Sequence, residues 1–343
     1  MFFTCDHRLK QTKLALISLC VLAFLSLAGP LYSATVTISE TWGNLEAGTN
    51  AEFHAVIQSA VATRGNLQFA VTVGPQTIVR REIEVTVEAG QPIAVPIQLT
   101  VPHLKDDVAV RATLTVRFQP QSAVPSEAVP SIEKTLWFFT ANPFANHEAS
   151  LKDKKIALFD PEGKTQEKFE QAGIPFSLIP RLDAISNIKE GILIIGEGLS
   201  LRDFKSLAEM CLATVNRDVP VLSLALKDGQ FRLIDSNDKS LPSPNAVSFR
   251  HNDIITSLDK RLDANAWPPD GIVAVNTINI TGERGPILGE VLNKTGEWPW
   301  IEIVVSGNTK AIFCQFDIIE KWDASPTPRY LLAALLDYLL KKQ

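Results

Sequence analysis

The stretch Val108-Ala109-Val110-Arg111-Ala112-Thr113-Leu114-Thr115-Val116-Arg117-Phe118 decides how the first half of the chain is read. Successive side chains of an extended strand point to opposite faces. Val108, Val110, Ala112, Leu114, Val116 and Phe118 therefore share one side, and Ala109, Arg111, Thr113, Thr115 and Arg117 share the other. One face suits a core and the other suits water.

The same alternation recurs upstream. Leu67, Phe69, Val71 and Val73 alternate with Gln68, Ala70 and Thr72, and Ile83, Val85 and Val87 alternate with Glu82, Glu84 and Thr86. Between Ala34 and Thr140 there are about seven such runs, a density that points to an antiparallel β-sandwich. The breaks carry Gly48, Gly65, Gly74-Pro75, Gly90 and Pro102, and no helical period intervenes. This pattern resembles an immunoglobulin or fibronectin type III fold over residues 35–140, without the immunoglobulin cysteine pair. Trp42 and Trp137 fall in this region, where single aromatics more often serve packing than ligand binding.

The N-terminus has a different character. Arg8, Lys10 and Lys13 precede the apolar run Leu14 to Leu27, which Gly29-Pro30 breaks. That layout predicts a secretory signal peptide over residues 1–34, cleaved near Ala34. The apolar run is shorter than the roughly 20 residues a membrane-spanning helix needs. The expectation is an extracytoplasmic protein, periplasmic or secreted, with no membrane span after cleavage.

The chain holds 33 Lys and Arg against 38 Asp and Glu, a net charge of −5, and loss of the basic leader makes it more acidic. Non-specific binding to nucleic acid or anionic lipid needs clustered positive charge, so neither is expected as a partner. Cys5 and Cys20 lie in the leader, which leaves Cys211 and Cys314, both in apolar surroundings that predict buried free thiols.

After a polar stretch at 141–154, read as a linker, strands and helices alternate over 155–343, as in an α/β domain with a parallel sheet. Lys155 to Phe159, Pro175 to Ile179, Gly191 to Ile195 and Val219 to Leu224 read as strands. Lys164 to Ala172 reads as a helix stopped by Gly173. Ser200-Leu201-Arg202-Asp203 has the form of a capping box that opens a helix through Cys211. Ile272 to Ile280 reads as a further strand, Trp300 to Val305 and Lys310 to Ile319 as a hairpin, and Arg329 to Leu340 as a closing helix. The expected fold is therefore an all-β sandwich followed by a flavodoxin-like α/β domain.

Open α/β sheets bind ligands beyond the carboxyl ends of their strands. The residues expected there are Asp160, Glu162, Arg181, Glu197, Gly198 and Lys227, and from later segments His251, Gln315 and Asp317. Trp267, Trp298, Trp300 and Trp322 form a second set, expected as a protein interface or a sugar-stacking platform. No cofactor-binding, metal-ligating or nucleophile motif is present, and none of these groups is assigned a catalytic role.

The order of elements around Ile192-Leu193-Ile194-Ile195-Gly196-Glu197-Gly198 resembles the class I glutamine amidotransferase-like fold. His251-Asn252-Asp253 with Leu258, Leu262-Asp263 and Trp267, and Lys310 to Asp317 with Trp322 and Pro326, resemble the domains of this kind attached to bacterial glycoside hydrolases, among them the β-galactosidase trimerisation domain. Asn252 stands where that pattern has proline and Ser257 where it has glycine. The resemblance implies a cysteine nucleophile after the fourth strand. Here that stretch is Leu222-Ser223-Leu224-Ala225-Leu226, and the cysteine is absent. The expected function is a non-catalytic accessory protein that binds a protein partner or self-associates. The alternatives are a carbohydrate-binding or carbohydrate-active protein, and a hydrolase with a site among Asp160, Glu197, His251 and Asp317.

Overall fold

The computed structural model describes residues 34–105, 108–121, 129–145, 148–228, 230–233, 246–275, 279–282, 298–304 and 309–340. The expected leader lies outside them apart from Ala34. Among the described residues, no helix is long and apolar enough to cross a membrane. The protein is rich in β-structure, with several sheets and few helices.

Among the described residues the N-terminal unit contains eight strands: β1 (Thr35–Ile38), β2 (Asn44–Glu46), β3 (Asn50–Gln58), β4 (Thr63–Val73), β5 (Gln76–Val87), β6 (Ile93–Thr100), β7 (Val110–Pro120) and β8 (Ser131–Phe139). They form a three-stranded sheet in the order β1-β3-β6 and a five-stranded sheet in the order β2-β8-β7-β4-β5. The alternation read from sequence is the cause of their packing. Phe53, Ala55 and Ile57 of β3, Leu67, Phe69 and Val71 of β4, and Ala112, Leu114, Val116 and Phe118 of β7 enter one shared core. β5 lies at the margin of its sheet, where Arg81 is paired directly with the buried Phe69 of β4 and so stands on the core-facing side.

The C-terminal unit is built on a seven-stranded sheet. Its strands are β9 (Ile156–Phe159), β10 (Ser177–Leu178), β11 (Ile192–Ile195), β12 (Val221–Ser223), β14 (Ala246–Arg250), β16 (Trp300–Val304) and β17 (Lys310–Cys314), in the order β10-β9-β11-β12-β17-β16-β14. The first five in that order run parallel, and β16 and β14 add antiparallel pairings. β13 (Gln230–Leu233) and β15 (Asn279–Gly282) pair in a separate parallel ribbon.

Helices cover both faces of the large sheet: α1 (Glu148–Asp153), α2 (Lys164–Ala172), α3 (Leu207–Val215), α4 (Asp253–Leu258) and α5 (Pro326–Leu340), with a 3-10 turn at Leu182–Asn187. The strands are apolar on both sides and feed two cores. Ile156 and Leu158 of β9 join Phe169, Leu331 and Leu335 on one face. Ala157 and Phe159 join Ile185, Leu207 and Cys211 on the other.

Several boundaries differ from the sequence reading. Residues 141–154 are not a free linker, because Phe144 and Leu151 are buried in the core of the second unit and α1 falls within this stretch. The helix expected from Ser200 begins only at Leu207. Ser200 Oγ does accept from the N–H groups of Arg202 and Asp203, at 3.2 and 3.3 Å, but it also donates to Asp228 Oδ1 at 2.6 Å. That bond holds the segment against the loop after β12. The strand expected over Ile272 to Ile280 is irregular at 272–275, where Asp270 Oδ1 caps the Ile272 N–H at 2.9 Å; 276–278 lie outside the described residues. The expected second strand shrinks to the two residues of β10, and the connection of the expected hairpin, residues 305–308, also lies outside the described residues.

Candidate functional site

The carboxyl ends of β9, β11 and β17 are where a parallel sheet would hold a ligand. Strand order reverses at β9, which has β10 on one side and β11 on the other. Asp160, directly after β9, is buried at 4% exposure. Its Oδ2 accepts the Gln166 N–H at 2.8 Å and so caps α2. Burial pushes its carboxyl above the usual aspartate range, against main-chain hydrogen bonds from Gln166, Thr165 and Gly163. The Asp160 carboxyl lies so close to the next strand end that a Cβ at Gly196 would sit 2.5 Å from Oδ1. Only glycine leaves that room.

Glu197, after β11, is 7% exposed. Its Oε2 accepts the Ile319 N–H and its Oε1 the Glu320 N–H, both at 2.8 Å, while its own N–H donates to Thr165 Oγ1 at 2.9 Å. Burial lifts the carboxyl to about 7; the two N–H donors work against the shift, and the neighbouring Asp317 and Glu320 add to it. Asp317 follows β17 and is pushed up to about 6, again chiefly by burial. Gln315 is fully buried, and its Oε1 accepts the Leu226 N–H at 3.1 Å.

Asp160, Glu197, Gln315 and Asp317 thus gather at one end of the sheet, and each holds main chain in place. Asp160 Oδ1, Gln315 Nε2 and Asp317 Oδ2 have no hydrogen-bond partner among the described residues. Among those residues no group of three or more His, Cys, Asp or Glu is arranged to hold a metal ion.

The other expected pocket residues take different places. Glu162, Arg181 and Lys227 are exposed, and Arg181 pairs with Asp183 at 2.9 Å. Gly198, with φ of 93°, donates to Ala225 O at 2.7 Å and joins the loops after β11 and β12. His251 does not join the carboxylates. It ends β14 at the far margin of the sheet, five strand spacings from β9, or about 24 Å at the usual separation. There its ring packs at a tilt against Trp298, with centroids 4.6 Å apart, and its carbonyl accepts the Ile254 N–H in the turn that opens α4. A hydrolase site uniting Asp160 with His251 is therefore ruled out by distance.

The tryptophan platform is corrected in the same way. Trp267 and Trp300 are fully buried and Trp322 is 3% exposed, so these three fill the core around Phe316 and Phe144 and offer no open face. Trp298 alone of the four is half-buried, against Phe249 and His251. Their clustering in the sequence reflects the apolar demand of a sheet covered on both sides. Ser223 is buried and donates to Leu224 O at 3.2 Å, and Leu224, Ala225 and Leu226 after it are buried as well.

A groove away from the strand ends was not expected. A groove of about 530 Å3 runs between the two units, with Trp42, Asn50, Glu52 and His54 on one side and Pro268, Pro269, Asp323 and Ser325 on the other. The joint beside it is built from polar contacts: Asp263 Oδ2 with the N–H groups of Gly43 and Asn44, Asn44 Nδ2 with Thr327 Oγ1 at 2.8 Å, and an Arg329–Glu46 ion pair. No local pattern marks these residues, since each meets partners more than 200 positions away.

No known protein family matches the chain, and no curated protein matches it. Among solved structures, the sporulation control protein Spo0M from Bacillus subtilis is similar over 35% of this chain and 55% of its own, at 14% identity and a TM-score of 0.27. A CARDB domain from Pyrococcus furiosus is similar over 32% of this chain and 94% of its own, at 11% identity and a TM-score of 0.24. A β-glucosidase from Listeria innocua is similar over 32% of this chain and 17% of its own, at 16% identity and a TM-score of 0.23. The chain thus spans about half the length of the first of these and about a sixth of the last.

Proposed function

We propose that the chain is a non-catalytic, extracytoplasmic accessory protein that acts by binding, with an immunoglobulin- or fibronectin-like sandwich joined to a degenerate amidotransferase-like, flavodoxin-like domain. The leader-like N-terminus supports export. The parallel strand order β10-β9-β11-β12-β17, with helices on both faces, supports the fold reading.

One observation carries the functional reading. Both Glu197 oxygens are occupied by the main-chain N–H groups of Ile319 and Glu320, so the most reactive-looking carboxylate at the strand ends acts as a brace for the 318–324 turns. The turn after β12 supports the same reading, because it presents buried Leu224, Ala225 and Leu226 where an amidotransferase-like site needs an exposed thiolate.

The test is a turnover screen of the purified chain against amide, ester and glycoside substrates, with light scattering to fix its oligomeric state. No turnover is expected. Hydrolysis that disappears in Glu197→Gln or Asp317→Asn would overturn the reading.

A further inference from the structure

We propose that the groove between the two units is a binding site for a neutral oligosaccharide, with Trp42 as its stacking wall. This specifies the ligand of a binding module and rests on that reading of the chain. The groove holds about 530 Å3, the scale of a small-molecule site, and it lies at a junction between units, where such sites concentrate. Its shape is fixed before any ligand arrives, because the Asp263 and Asn44 contacts described above tie the two walls together.

Ser325 adds a polar residue to the groove wall, with its Oγ turned away from the open space. It lines the groove at 6% exposure, and its Oγ has no hydrogen-bond partner among the described residues.

The charges select the ligand class. Among the described residues no Lys or Arg lines the groove, which leaves an anionic sugar without a counter-charge. The carboxylates are largely committed. Glu46 pairs with Arg329, Asp323 pairs with Lys168, and Glu40 accepts from both the ring and the main chain of His54. A cation therefore finds little free negative charge. Glu52 accepts from Gln98 and pairs with His54 Nε2 at 3.3 Å, and Asn50 Oδ1 accepts from Thr100 Oγ1, so the groove offers the half-buried Trp42 indole with a neutralised polar rim around one aromatic face. A pyranose ring presents the matching features, apolar C–H groups on its face and hydroxyls at its rim.

The test is calorimetric titration of the full chain with neutral hexasaccharides of β-1,4-glucose, β-1,4-xylose, β-1,4-mannose and α-1,4-glucose. A hexagalacturonan and a glucosamine hexamer serve as anionic and cationic controls. Saturable binding of at least one neutral probe is expected, weakened about tenfold or more by Trp42→Ala and unchanged by Trp298→Ala. Glu52→Gln and Asn50→Ala, both at exposed positions, are expected to weaken it about threefold and serve if Trp42→Ala does not fold. Failure of every neutral probe, binding of the charged probes alone, or loss through Trp298→Ala with Trp42→Ala or the two rim variants silent would each overturn the proposal. Hydrolysis of a bound probe would sink the non-catalytic reading and leave the groove in place. Absence of binding would sink the groove and leave that reading untouched.

Discussion

The Asp263 carboxylate and the main chain of Asn44 meet across the boundary between the two units, where Oδ2 accepts the N–H groups of Asn44 at 2.8 Å and Gly43 at 2.9 Å. One oxygen anchors the β2 entry to the loop before Trp267. Burial raises the Asp263 carboxyl above its usual range, while the two N–H groups and Lys134 favour its charged form. Asp263→Ala leaves two donors unmet and is expected to cost about 2–4 kcal/mol. Calorimetry is expected to show one unfolding transition for the parent and two for the variant.

Glu197 and Asp317 set a pH dependence. Each binds its proton more tightly in the folded chain, at about 7 and about 6, than an ordinary carboxyl does. The stabilisation they give is complete below the unfolded-state value of about 4 and is lost as pH rises through 6 and 7. The thermal midpoint is therefore expected to fall between pH 5 and pH 7.5. Glu197→Gln accepts only one of the two N–H groups, so this variant is expected to be less stable at pH 5 and to lose less on going to pH 7.5.

Gly196→Ala places a methyl group 2.5 Å from Asp160 Oδ1 and within 3 Å of two more Asp160 atoms. The strand ends are tightly packed, so the expected cost is about 1–3 kcal/mol, read from the denaturant midpoint. Gly74→Ala meets no atom within 4 Å, although its φ of +55° is unfavourable, and is expected to cost less.

Cys211 and Cys314 are free and buried. Burial lifts the Cys211 thiol to about 12 and raises Cys314 further. Neither is expected to react with a thiol reagent at pH 8 in the folded protein, and both are expected to react in denaturant, as peptide mass spectrometry would record.

The sequence carried the elements whose cause is local. Alternation at Ala112, Leu114, Val116 and Phe118 is the periodicity of β7, and Gly173, at φ of 70°, ends α2 where the chain must turn left-handed. The strand-end position of Asp160 and Glu197 was legible too, because it follows from strand-helix alternation. What could not be read depends on distant partners. β14 has the short run Ala246–Arg250 and becomes a strand only through pairing with β16. Trp267 and Trp300 gave no local sign of being core, and His251 gave none of lying far from Asp160. The role of Ser325 depends on a groove whose opposite wall is about 270–280 residues earlier in the chain.

β5 ends the five-stranded sheet with twelve residues of extended chain, long enough to recruit a stray strand from another molecule. Arg81 stands opposite Phe69, on the side where such a recruit would have to continue the apolar layer. Any newcomer docking there would have to strip a guanidinium of its water before gaining contact with the core. The margin is thus guarded on its inner side by Arg81 and on its outer side by Arg80, Glu82 and Glu84, and replacing Arg81 with valine would strip the inner guard and leave the strand a better template for fibre formation.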